Sequence, residues 1–99
     1  MANLTIQKPV AFSKKNPHHV AWCEAMRVGW LEAFDGVATM PYEHDHRHNF
    51  HRQRAYECGR FAAAFAKAAG VRPKWGYGVI MPDAVKEYAY EAMREIHRI

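Results

Sequence analysis

One stretch of this 99-residue sequence, residues 42–54, concentrates side chains that bind anions. It holds four of the seven histidines, three arginines and two aromatic residues. Guanidinium and imidazole groups donate hydrogen bonds to phosphates or carboxylates, and aromatic rings stack on unpaired bases. We therefore expect a contact surface for a nucleic acid or an acidic protein, with a plain solvated face as the alternative. The candidate residues in this stretch are Tyr42, His44, His46, Arg47, His48, His51, Arg52 and Arg54.

The same histidines offer a metal-binding alternative. On a helix, His44, His48 and His51 would share one face at spacings i, i+4 and i+7, which suits zinc with one open position. The sequence contains no HExxH motif and no cysteine pair at metal-ligand spacing. We therefore keep a small metal-binding protein as a further alternative and expect no cofactor. Because imidazoles titrate near pH 6.5, we also expect this stretch to bind an anionic partner more tightly in mild acid.

A second candidate lies in the loop predicted at residues 71–82, which is rich in glycine and aromatic residues. Arg72, Lys74 and Trp75 are placed there as contacts for a base or a partner peptide, against the alternative of a purely structural turn. No phosphate-binding glycine loop, nucleophile elbow or dinucleotide fingerprint occurs in the chain. The sequence therefore predicts a binding protein with no catalytic residues.

Composition bounds the fold to a single domain. The chain carries 14 Lys and Arg against 10 Asp and Glu, a formal charge of +4, and 49% of its residues are hydrophobic. A chain of this length supports one hydrophobic core, and two cysteines are too few for a disulfide scaffold. No segment has the pattern of a secretory signal or a membrane span, so we expect a cytoplasmic protein.

Three helices are predicted around this core. Asn16-Pro17 is typical of a helix start and Asp35-Gly36 of a helix stop, which gives a first helix over about 17–34. The second is predicted over about 49–69, with a start as early as Glu43 as an alternative, and the third over about 83–98. Val79-Ile80-Met81 is a candidate short strand beside the N-terminal arm. The predicted organisation is an arm (1–15), a helical hairpin (16–70), a loop (71–82) and a C-terminal helix (83–99) within one domain, 1–99.

The first two helices share a pattern of small residues. Ala25, Gly29 and Ala33 recur at four-residue spacing in one helix, and Ala55, Gly59 and Ala63 repeat that spacing in the other. Steps of four stay on one helix face, so each helix presents a groove that allows close approach of two backbones. We therefore predict a mainly α fold in which an antiparallel hairpin carries the third helix. With Gly29 opposite Gly59, Cys23 and Cys58 would lie too far apart for a disulfide.

The order of these features resembles the ribosome modulation factor family. The resemblance covers residues 25–65 and rests on Gly29-Trp30-x-x-Ala33, on Pro41-Tyr42 after a spacer, and on Ala55-Tyr56-x-x-Gly59-x-x-x-Ala63. It implies binding to the small ribosomal subunit near the 3′ end of its RNA, in a way that blocks messenger engagement. It also implies that Trp30, Pro41, Tyr42, Tyr56 and Gly59 define the fold, and that Arg47, Arg52, Arg54 and Arg60 contact the RNA backbone.

The expected partner is therefore the small ribosomal subunit or its RNA. An inhibitor, such as a phage-encoded blocker of a host nuclease, polymerase or defence complex, is the alternative, and its partner would be an acidic host protein. No membrane partner is expected, and the sequence leaves open whether the domain forms a homodimer.

Overall fold

Three α-helices make up the described part of the fold. The computed structural model describes residues 17–42, 46–78 and 80–98, with the side chains of residues 17, 46–49 and 97–98 left outside that description. The helices are α1 (Pro17–Asp35), α2 (His46–Ala68) and α3 (Asp83–Arg98), and no strand occurs in these ranges. The prediction of a mainly α fold is confirmed. Helix α2 begins three residues before its predicted start at 49.

Glycines end the first two helices as the sequence predicts. Gly36 has a φ of 72°, and the next residue, Val37, donates its backbone N–H to the carbonyl of Glu32 at 2.8 Å. Helix α2 ends in the same way, since Gly70 has a φ of 77° and Val71 N–H bonds the carbonyl of Ala66 at 3.0 Å. Both ends are Schellman motifs, in which a left-handed glycine lets the chain satisfy carbonyls that the helix leaves free.

Helices α1 and α2 touch backbone to backbone where the predicted grooves meet. A Cβ atom added to Gly29 would overlap the carbonyl oxygen of Tyr56, and one added to Gly59 would overlap that of Met26. Around this contact Met26, Trp30 and Tyr56 are almost completely buried. The close approach inferred from the spacing of small residues is therefore confirmed at both glycines.

The sense of the crossing differs from the predicted antiparallel hairpin. Lys67 Nζ donates to the carbonyl of Ala33 at 2.7 Å. With Gly29 opposite Gly59 in an antiparallel pair, Lys67 would lie beside residue 21, about 18 Å of helix from Ala33 and out of reach. The C-terminal ends of α1 and α2 therefore lie on the same side of the crossing. This arrangement is possible because the connector, residues 36–45, is long enough to run back towards the start of α2.

Helix α3 packs on α2 through its predicted apolar stripe. Val85, Ala89 and Ala92 are fully buried, and Tyr88, Met93 and Ile96 pack against the same core. The thiol of Cys58 on α2 lies 3.8 Å from the carbonyl oxygen of Ala89. Cys58 and Cys23 are both buried and free, which confirms that they do not form a disulfide.

The predicted strand beside the N-terminal arm receives no support from the described residues. The arm, residues 1–15, and residue 79 lie outside them. Ile80 and Met81 are described and are not part of a strand, and Met81 is buried in the helical core. Residue 81 therefore contributes a core side chain where the sequence suggested a strand.

Candidate nucleic-acid interface

A buried tyrosine at the helix crossing holds the connector in place. The ring of Tyr56 is fully buried, and its hydroxyl donates to Glu32 Oε1 at 2.6 Å. The same hydroxyl accepts a hydrogen bond from the backbone N–H of Met40 at 3.2 Å. Tyr56 therefore links α2 to a carboxylate of α1 and to the backbone of the connector.

Two charged side chains complete this attachment. Glu32 accepts hydrogen bonds from the backbone N–H of Thr39 at 3.0 Å and from its hydroxyl at 2.7 Å. From α2, Arg60 donates to the carbonyl of Val37 at 2.6 Å. Both helices thus fix residues 37–40, which lead directly into Pro41-Tyr42.

The network also shifts the proton affinities of its members. Burial would raise the pKa of the Glu32 carboxyl, but hydrogen bonds from Tyr56 and Thr39 and the charge of Arg60 outweigh it, so the pKa is lowered. Burial and the hydrogen bond to Glu32 raise the pKa of Tyr56. Both shifts favour an ionised glutamate that accepts a hydrogen bond from a neutral tyrosine.

Tyr42 extends this attachment towards the basic part of α2. Its half-buried ring packs edge to face on Tyr56, with centroids 6.1 Å apart and planes at 70°. Burial raises the pKa of Tyr42, with help from the negative charge of Glu24, while the positive charge of Arg52 lowers it. Arg52 therefore acts on the Tyr42 hydroxyl, and the structure brings together two residues that the sequence proposed as partner contacts.

The first half of α2 presents a basic surface next to Tyr42. His51 and Arg52 are exposed, Arg54 is half-buried, and Phe50 keeps 53% of its surface exposed. Arg54 lies over the Phe50 ring at 6.0 Å, and the His51 ring is 5.5 Å from the same ring. No acidic residue occurs between 46 and 56. We call His51, Arg52 and Arg54, together with Phe50 and Tyr42, the basic–aromatic surface.

Several residues that were predicted to contact a partner have side chains that the structure does not describe. His44 lies outside the described residues, and His46, Arg47 and His48 belong to α2 but their side chains are not described. The three-histidine metal site, His44, His48 and His51, includes two of these residues and stays a prediction. Among the side chains that are described, no group of three metal-binding residues occurs.

The remaining predicted cations have different surroundings. Arg60 is half-buried and bonds the connector. Arg72 follows the far end of α2, where it pairs with Asp35 at 3.2 Å and lies 4.9 Å from the centre of the Phe34 ring. Lys74 is exposed in the loop after α2. Arg60 therefore positions the connector, and Arg72 attaches that loop to the end of α1.

Trp75 corrects the prediction for the glycine- and aromatic-rich loop. Its side chain is only 3% exposed and packs edge to face on Trp30 at 6.1 Å, while its carbonyl accepts a hydrogen bond from Arg27 at 3.0 Å. Because the indole is buried in the core, it is not available to a partner in this structure. The exposed aromatic ring of this loop is Tyr77, with 83% of its surface accessible.

Sequence reasoning did not find Glu32 as a positioning residue. The signal available was Tyr56 itself, since a tyrosine on a buried helix face must find a partner for its hydroxyl. That rule requires an acceptor without saying which one. Glu32 lies 24 positions away on another helix, and no local pattern links the two residues.

Comparison with known proteins adds no assignment. In comparisons with protein-family models, curated proteins and solved structures, no significant match to this chain was found. None of the described helices is both long and apolar enough to span a bilayer. The resemblance to ribosome modulation factors therefore rests on the residues quoted for it.

Proposed function

We propose that this protein is a non-enzymatic binding module, similar to ribosome modulation factor, that occludes an RNA site on the small ribosomal subunit. The proposed partner is ribosomal RNA and the proposed location is the cytoplasm. The observation that carries the proposal is the basic–aromatic surface, in which Phe50, His51 and Arg52 are exposed on α2 and the ring of Tyr42 packs on Tyr56, one turn further along the same helix.

The chemistry of this surface favours an anionic polymer. Arg52 and His51 have exposed side chains that can donate to phosphate oxygens, and residues 46–56 of the sequence contain no Asp or Glu. The exposed face of Phe50 and the partly exposed Tyr42 offer platforms for unpaired bases. Cations that alternate with aromatic rings are typical of proteins that bind single-stranded nucleic acid.

The attachment of the connector supports the same proposal. Binding costs less free energy when the contact groups are already ordered. Tyr42 is ordered by Tyr56, and Tyr56 is ordered by Glu32 and by the backbone of Met40. Helices α1 and α2 therefore hold Tyr42 in position before a partner binds.

Sedimentation with purified small ribosomal subunits over a salt series tests the proposal. We expect co-sedimentation at low salt that weakens as salt rises, because binding to phosphates releases counterions. Arg52→Gln should weaken binding and lower the slope of log affinity against log salt by about 1. Arg94→Gln, which removes an exposed arginine of α3, is the matched control and should leave both unchanged.

Two outcomes would overturn the proposal. The first is the absence of co-sedimentation at the lowest salt concentration. The second is an equal effect of Arg52→Gln and Arg94→Gln, because general loss of positive charge would then explain the result. A protein target for an inhibitor would become the leading alternative in either case.

A further inference from the structure

Helix α2 has an outward stripe that neither α1 nor α3 covers. Phe50, Arg54, Glu57 and Phe61 follow one another at steps of four, three and four residues, which keeps them on one helix face. Phe50 and Phe61 are 53% and 42% exposed, unusually high for phenylalanine, and the two charged residues between them are half-buried. We call these four residues the α2 stripe.

Three members of the α2 stripe, Arg54, Glu57 and Phe61, line a groove together with Arg60 of the same helix. Met40 of the connector lines one side and Ile96 of α3 the other, around a volume of about 580 Å³. Gln53 donates to Glu57 Oε2 at 3.1 Å and so orients the carboxylate. Within the described part of the chain, neither Arg54 nor Glu57 belongs to a salt bridge. The stripe therefore places one cation and one anion between two exposed phenylalanine rings, while Arg60, the other cation that lines the groove, donates to the carbonyl of Val37.

The chemistry of the stripe is self-complementary. Its order is aromatic, cation, anion, aromatic, and the steps of four, three and four are the same from either end. A two-fold rotation about an axis through the stripe between positions 55 and 56 sets Arg54 opposite Glu57 of the copy, and Glu57 opposite Arg54. The same rotation sets Phe50 opposite Phe61 of the copy. Every member of the stripe thus meets a group that it attracts.

We propose that the α2 stripe is a two-fold self-association surface whose occupant is a second copy of this chain. Two-fold interfaces use the same patch on both subunits, so a patch must match itself after rotation. The paired charges argue for this occupant over an unrelated acidic or basic peptide, because a peptide of one charge sign would leave Arg54 or Glu57 opposed by a like charge.

The expected dimer is weak and leaves part of the basic–aromatic surface accessible. A single helix pair lies at the small end of protein interfaces, so association should depend on concentration in the micromolar range or above. His51 and Arg52 lie about 100° and 200° around α2 from Phe50, outside the stripe. A dimer would therefore display two copies of these cations.

Sedimentation velocity over a wide concentration range, with protein freed of nucleic acid, tests the proposal. Arg54→Glu and Glu57→Arg each create two like-charge pairs across the dimer, and each should weaken association by about tenfold or more. An equimolar mixture of the two variants should associate again, because one variant then presents two carboxylates to the two guanidinium groups of the other. Arg94→Glu, the same change on an exposed part of α3, should have no effect.

Mixing the two variants distinguishes an effect at the dimer interface from a folding defect within one chain. A folding defect in either variant persists after mixing, and circular dichroism of each variant reports it directly. Three results would each overturn the proposal: wild-type protein that stays monomeric at every concentration, dimers that the charge reversals do not weaken, or folded variants that stay monomeric when mixed although the wild type dimerises.

Discussion

Helix α2 is held by its two neighbours in different ways. At the crossing with α1, backbone meets backbone, and the only side-chain atoms of Gly29 and Gly59 are hydrogens. Against α3, the contact consists of side chains on an amphipathic stripe, with Val85, Ala89 and Ala92 at its centre. The interface with α1 therefore requires residues without a Cβ atom, whereas the interface with α3 requires apolar side chains that fill it.

This difference predicts different tolerance to substitution. Side chains in a packed core can change rotamer and partly fill a gap, whereas two helix backbones in contact can only move apart. An added methyl group at the crossing should therefore cost more than a pair of methyl groups removed under α3. The contrast also separates glycines needed for space from glycines needed for a positive φ.

The largest expected effect is that of Gly59→Ala. Its Cβ would overlap the carbonyl oxygen of Met26 and lie 2.9 Å from the backbone nitrogen of Trp30, so the helices must separate. We expect a loss of at least about 3 kcal/mol in the free energy of unfolding, measured by urea denaturation.

Gly70→Ala is the matched control for that substitution. Gly70 has a φ of 77° but no atom within 4 Å of an added Cβ, so the change tests conformational strain alone. We expect a cost of about 1–2 kcal/mol. Equal losses at the two positions would show that the crossing is not limited by space.

A smaller effect is expected for Val85→Ala in the α3 interface. The change removes two buried methyl groups and leaves a cavity, which should lower the free energy of unfolding by about 2 kcal/mol. Val71→Ala, at a site that is 42% exposed, should cost less than about 0.5 kcal/mol. Urea denaturation measures both, and a Val85→Ala loss larger than that of Gly59→Ala would reverse the comparison.

The smallest expected effect concerns Glu32, which joins the crossing to the connector, and it depends on pH. Its pKa is lower in the folded protein than in the unfolded chain, so its ionised form stabilises the fold above the unfolded pKa. That contribution is lost as pH falls from the ordinary glutamate value of about 4.3 through the lowered folded value.

Glu32→Gln should reduce the loss in the free energy of unfolding that acidification causes over this pH range. The measurement is the difference in the free energy of unfolding between wild type and variant from pH 7 to pH 3. We expect the difference to shrink on acidification, because the wild-type carboxyl becomes neutral as well. A difference that stays constant over this range would contradict the role of the Glu32 charge.

Local sequence signals predicted the helices and the site of their contact. Pro17, Gly36 and Gly70 mark ends that depend on neighbouring residues alone, and the structure places helix ends beside all three. Gly29 and Gly59 pointed to the crossing because glycine inside a helix is costly without a steric reason. The apolar stripe of α3 was predicted equally well, since its spacing follows the helical period.

Local sequence patterns did not predict the relative direction of α1 and α2 or the surroundings of the site. Four-residue spacing is the same in both directions, so it cannot distinguish a parallel from an antiparallel pair. The contact between Lys67 and Ala33 that decides the matter joins residues 34 positions apart. Trp75 was misplaced for a related reason, because a loop rich in glycine does not reveal which helix its aromatic ring meets.

The parallel sense of the crossing affects the order in which the chain can fold during synthesis. Met26 and Trp30 of α1 are buried, and the contacts between α1 and α2 reach as far as residue 67, about 37 positions beyond Trp30. At about 5–20 residues added per second, α1 waits roughly 2–7 s for that partner. The crossing itself needs the chain only as far as Gly59, but the bond that joins the C-terminal ends of α1 and α2 forms only after Lys67 has been made.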